Sequence, residues 1–105
     1  MEHLIYKHDH QTQASGTAPH AIVGVVASGN LEILVERAAA PDWCDFEVRT
    51  AATGFAQVWE AVIADFAARG LSGGLRFSIN DGGARPDMVS LRLAQALQTI
   101  VRESP

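Results

Sequence analysis

The chain has 105 residues, 48% of them apolar and 19% charged, with a net charge of −4. This is one domain's length with enough apolar content to build a core, so disorder over the whole chain is excluded. The longest apolar run extends only from Ala21 to Ala27, far short of the about 20 residues a membrane span needs. Eight Lys and Arg against twelve Asp and Glu argue against nucleic acid as a partner.

Residues 1–19 include three His, two Gln, Ser15, Gly16, Thr17 and Pro19 and hold few large apolar side chains, so they read as a flexible N-terminal tail ahead of a single domain over 20–105. The tail has no apolar leader, and the single cysteine, Cys44, cannot close an internal disulfide; both favour a cytoplasmic setting. Residues 21–27 are β-branched and strand-like. Ser28-Gly29-Asn30 is turn chemistry, and Leu31, Ile33 and Val35 then alternate with Glu32, Leu34 and Glu36, which predicts a β-hairpin over 21–36 with Ser28 at its tip. Cys44, Phe46 and Val48 alternate with Asp45, Glu47 and Arg49, predicting a third strand with an inward Cys44. Phe55, Val58, Trp59, Val62, Ile63 and Phe66 form one stripe of a helix started by Thr53 or Gly54 and ended at Gly70. Leu75, Phe77 and Ile79 give a fourth strand, and Pro86 opens a second helix that buries Val89, Leu93, Ala96, Leu97 and Ile100. The expected fold is α+β: a two-layer sandwich of order β-β-β-α-β-α, with two helices on one face of a mostly antiparallel four-stranded sheet. The helix before the last strand leaves room for one parallel pairing.

No residue is expected to be catalytic. Ser28 is sterically open, but Gly24 to Gly29 is not a GxSxG elbow, and the only histidine of the predicted domain, His20, lies at the far end of the first strand. His8, Asp9 and His10 do not have the spacing of a closed metal site, so no metal is expected. The carboxylates of Glu32, Glu36, Asp45 and Glu47 read as solvated strand faces. The loop Asn80 to Pro86 is rich in glycine and precedes a helix, with Arg85 close by. Such a loop can hold a phosphate, although a plain strand-to-helix connection is the favoured account.

Two segments carry a resemblance. Ala21-Ile22-Val23-Gly24-Val25-Val26-Ala27-Ser28-Gly29-Asn30-Leu31-Glu32 resembles the opening strand and Ser-Gly-Asp-Leu-Glu turn of the malonate decarboxylase acyl carrier (delta) subunit family. Asp81-Gly82-Gly83-Ala84-Arg85-Pro86 and the helix after it resemble that family's Asp-x-Gly-Ala-x-Pro segment. Asn30 stands where the family usually has Asp. The resemblance implies a non-catalytic carrier whose Ser28 bears phosphoribosyl-dephospho-CoA through a phosphodiester, with Gly29 and Asn30 supporting the turn. Acetyl and malonyl would ride on it as thioesters. Acyl transferase and decarboxylase subunits of the same complex, and a transferase that attaches the prosthetic group, would be its partners. Two other readings stay open: the acyl carrier (gamma) subunit of citrate lyase, which has a similar Ser-Gly turn, and an unmodified protein-interaction domain.

Overall fold

The computed structural model describes residues 1–24 and 30–102. Its elements are β1 (Glu2–His8), β2 (His20–Val23), β3 (Leu31–Glu36), β4 (Cys44–Thr50), α1 (Ala56–Ala67), β5 (Arg76–Asp81) and α2 (Pro86–Arg102). The strands form one five-stranded sheet in the order β1-β4-β5-β3-β2. β1 runs antiparallel to β4, β5 to β3 and β3 to β2, while β4 and β5 are parallel. The parallel pair follows from its connection, because α1 crosses over between β4 and β5.

Alternation sets the two faces. Leu31, Ile33 and Val35 of β3, Cys44, Phe46 and Val48 of β4, and Phe77 and Ile79 of β5 are buried on one face. Both helices cover that face, α1 through Trp59, Ile63, Phe66 and Ala67, and α2 through Val89, Leu93, Ala96 and Ile100. At the centre Phe46 and Phe77 stack at 4.9 Å, and Phe66 from α1 meets Phe77 edge-on at 5.5 Å. Such ring pairs add about 0.5–1.5 kcal/mol each beyond the area they bury.

The expected class and the two helices on one face hold, but the sheet has five strands, not four. The additional strand comes from the segment expected to be a flexible tail. Glu2 to His8 pair along the whole of β4, and Tyr6 donates from its phenol to the Ala56 carbonyl at the start of α1 (3.1 Å). Burial pushes the Tyr6 phenol above its ordinary pKa, with Glu60 and Glu2 adding to the shift. Residues 9–19 then run as a strap over the end of the sheet. Gln11 is buried there; its amide donates to the Ala67 carbonyl (2.8 Å) and its carbonyl accepts from Ser72 N–H (3.1 Å). Arg37 holds the strap through the Ala14, Ser15 and Ala18 carbonyls. Two smaller expectations also change. Neither Thr53 nor Gly54 caps α1; Phe55 is the N-cap residue, without a side-chain cap bond, and it is exposed instead of joining the stripe. Leu97 is half-buried.

Candidate functional site

The β2–β3 connection is fixed at both of its described ends. β2 and β3 are held in register by pairs such as Val23 with Ile33. Gly24 follows with φ of 77°, in the left-handed region, and a Cβ built there would collide with the Leu31 carbonyl. Glycine is therefore required at this position by both backbone conformation and space. At the other end Asn30 has φ of 57°, which asparagine tolerates better than most residues. Its carbonyl accepts a 2.7 Å bond from Gly82 N–H, just past β5. Of the three residues proposed for the site, Asn30 is thus an exposed residue tied to the β5–α2 loop, and Ser28 and Gly29 lie outside the described residues.

The β5–α2 loop is built around Asp81. Its Oδ2 accepts from the Thr50 hydroxyl (2.7 Å) and its Oδ1 from Ala84 N–H (2.8 Å). With Ala84 N–H taken by Asp81 and Gly82 N–H by Asn30, the loop spends these donors on its own structure. Two of the backbone donors of the Asn80 to Pro86 loop are therefore already engaged. Arg85 also points elsewhere, forming an exposed ion pair with Asp87 at 3.4 Å. Beside this loop an apolar groove of about 210 Å³ is lined by Phe55, Val58, Trp59, Asp81, Ala84 and Val89, among others.

The residue that sequence reasoning missed is Arg92. It lies on α2 beside the buried Leu93, and α2 packs on β2 and β3. Its Nη1 donates to Gln95 Oε1 (2.7 Å). Its Nε is enclosed and, among the described residues, has no hydrogen-bond partner. A Cβ at Gly24 would stand 3.6 Å from that nitrogen, so the guanidinium lies at the foot of the 24–30 connection. The signal in the sequence was faint: an arginine flanking the apolar stripe of a helix reads as surface unless the strand opposite is known.

The other singled-out residues serve the scaffold. Cys44 is fully buried, and burial, with Asp45 beside it, pushes its thiol up to about 12. Glu47 lies on the open face of the sheet. His3 Nε2 hydrogen-bonds it at 2.9 Å, and Arg49 and Arg76 approach its other oxygen. The His3 bond and the two guanidinium groups hold its carboxyl below the usual range, against some desolvation. His8 meets Phe46 edge-on, and His10 stands near Asp9 at the surface. Among the described residues no group of three or more His, Cys, Asp and Glu is placed to hold a metal ion, and no helix is long and apolar enough to cross a membrane.

Comparison with known proteins agrees with this architecture. The chain matches the family described as malonate decarboxylase delta subunit (MdcD) over residues 18–100. It is 58% identical to the malonate decarboxylase acyl carrier protein of Bradyrhizobium diazoefficiens, over 95% of each chain. It is 53% identical to that of Xanthomonas euvesicatoria pv. vesicatoria, again over 95% of each. Among solved structures it is similar, with a TM-score of 0.82 and 32% identity, to a chain in the crystal structure of a Pseudomonas malonate decarboxylase hetero-tetramer in complex with malonate, covering 95% of this chain and 99% of that one. The pinned β2–β3 connection, the Asp81 loop and the near full-length likeness agree, and the chain belongs to the malonate decarboxylase delta subunit family, that of the acyl carrier proteins.

Proposed function

We propose that this chain is the acyl carrier subunit of a malonate decarboxylase, working in the cytoplasm, with phosphoribosyl-dephospho-CoA attached to Ser28 through a phosphodiester. The near full-length likeness to acyl carrier proteins of that enzyme carries the reading. When bound, the group supplies a thiol that bears acetyl and malonyl as thioesters for partner acyl transferase and decarboxylase subunits. The chain's own contribution is to anchor and orient. Gly24 and Asn30 fix the two described ends of the segment that contains Ser28 on a five-stranded sheet. Tethering keeps a group near each partner site and raises its effective concentration there. Among the described residues the Arg92 Nε–H has no acceptor, 3.6 Å from where a Cβ at Gly24 would stand, and a guanidinium suits an anionic linkage.

The test is intact mass after incubation with the modifying transferase and its nucleotide precursor. Wild type should gain the mass of one prosthetic group, and Ser28→Ala should gain none while keeping its fold. Ser72→Ala and Ser78→Ala should load as wild type does. Loading of Ser28→Ala, or none of the wild type under conditions that modify a known carrier, would sink the reading. Malonate-dependent CO₂ release by the reconstituted complex then separates malonate from citrate as the system served.

A further inference from the structure

We infer that the apolar groove between α1 and the β5–α2 loop docks a partner subunit by taking in one arginine side chain of that subunit, which pairs with Asp81; this rests on the carrier reading above. The groove, about 210 Å³, is lined by Phe55, Val58, Trp59, Val62 and Val89, with Asp81 as the charged residue among its walls. Phe55 is 51% exposed and Val58 40%. Phe55 also occupies the N-cap of α1, a position that favours Ser, Thr, Asp or Asn, and it makes no side-chain cap bond there. Folding alone accounts for neither the exposed ring nor its place, and such local choices against the fold mark functional positions. The groove is smaller than the clefts of about 300–1,000 Å³ that enclose small molecules, and suits a single anchoring side chain of an interface.

Asp81 decides which side chain. It is 6% exposed, yet among the described residues no Lys, Arg or His forms an ion pair with it. Residues 25–29 and 103–105 contain no Lys, Arg or His. A buried carboxylate is normally paired with a cation. The bonds from the Thr50 hydroxyl and Ala84 N–H take one acceptor site on each oxygen, and a carboxylate has about four. The nearby start of α2 contributes only about half a positive charge. A cation from a partner completes the balance. Arginine fits better than lysine, because its guanidinium is more weakly hydrated and stacks on rings such as Trp59 and Phe55, while its apolar stem lies along Val58 and Val62.

The experiment places the photo-crosslinker p-benzoylphenylalanine at position 58 and irradiates the reconstituted malonate decarboxylase complex. The crosslinked peptide should belong to a transferase or decarboxylase subunit and contain an arginine. Calorimetry with that subunit then compares variants. Phe55→Ser and Val58→Lys should each weaken binding at least about tenfold, the loss expected for an anchor site. Leu91→Ser, at an exposed residue of α2, should bind as wild type does. Asp81→Asn should weaken binding about tenfold, and replacing the partner's arginine by Gln should then add less than about twofold, because the pair is already broken. If the crosslinked peptide has no arginine, if Phe55→Ser binds as wild type does, or if the two losses multiply, the groove inference is wrong and the carrier reading stands. The same holds if the chain alone forms a dimer that Phe55→Ser dissociates, since the occupant is then a second copy. If wild type joins no subunit of the complex, both fall together. Phe55 and Val58 are exposed, so their variants keep the test intact should Asp81→Asn fold poorly.

Discussion

The Thr50 hydroxyl donates to Asp81 Oδ2 at 2.7 Å, joining the C-terminal ends of the parallel strands β4 and β5 in a buried bond. The same Thr50 oxygen accepts from Ala52 N–H, and the other Asp81 oxygen accepts from Ala84 N–H. One bond therefore links the chain leaving β4 for α1 to the chain leaving β5 for α2. Thr50→Val keeps the shape but leaves a buried carboxylate oxygen without its partner, and should cost about 1–3 kcal/mol in chemical denaturation. Asp81→Ala, which also releases Ala84 N–H, should cost more. Equal stability of Thr50→Val and wild type would show that the bond contributes nothing.

Gly24 and Gly54 separate backbone strain from collision. Both have φ near +80°, but a Cβ at Gly54 meets nothing within 4 Å, whereas at Gly24 it strikes the Leu31 carbonyl. Gly54→Ala should cost about 1 kcal/mol. Gly24→Ala should cost about 2–4 kcal/mol, because the hairpin must shift to admit the methyl group. Denaturant midpoints at constant slope test the difference.

Cys44 should be silent in the folded protein. Its thiol is fully buried and pushed up to about 12, so the reactive thiolate is absent at neutral pH. A thiol reagent should label the native protein slowly and the unfolded protein at once. The pH dependence has a definite sign. Between the ordinary 9.0 and about 12 the unfolded thiol loses its proton while the folded one keeps it, so stability from this group is intact below 9 and declines as pH rises through that window. Cys44→Ala should flatten that decline, which a comparison of melting temperatures at pH 8 and pH 10 would detect.

Arg37 clamps the strap. Its guanidinium donates to the carbonyls of Ala18 (2.7 Å), Ala14 (2.9 Å), Ser15 (2.6 Å) and Ile100 (3.2 Å). It thereby ties residues 14–18 to the last turn of α2. Arg37→Ala should cost about 1.5–3 kcal/mol, the range for hydrogen bonds to a charged donor. Limited proteolysis should then cut within residues 9–19 well before the sheet is attacked; an unchanged cleavage pattern would place the strap's stability elsewhere.

The parts of the fold that bury their own apolar side chains could be read from the chain. Period two marked β3, β4 and β5, and period 3.6 marked α1 and α2, because in each the buried residues are large and regularly spaced. β1 escaped for the opposite reason. Leu4, Tyr6 and His8 face inward, but Ile5 faces out, and two histidines dilute the pattern; the strand is held by its pairing with β4 more than by its own apolar content. The strap escaped because the residues it buries, Gln11, Ala14 and Ala18, are polar or small. The exposed Phe55 was misplaced because a stripe says nothing about where the helix begins. At the site, the glycine at 24 was visible but its reason was not, since that reason is the Leu31 carbonyl across the hairpin. Arg92 was invisible for want of any sign in the sequence that α2 would bring it to Gly24.

The position of β1 at the sheet edge bears on the order of events during synthesis. Glu2 to His8 are made well before their partners, Cys44 to Thr50, and the strap that follows docks on Gly73 through Gln13. The segment must wait, unpaired, until β4 has been made. Glu2, Lys7 and two histidines keep it polar during that delay, where a richer strand would invite association with neighbouring nascent chains.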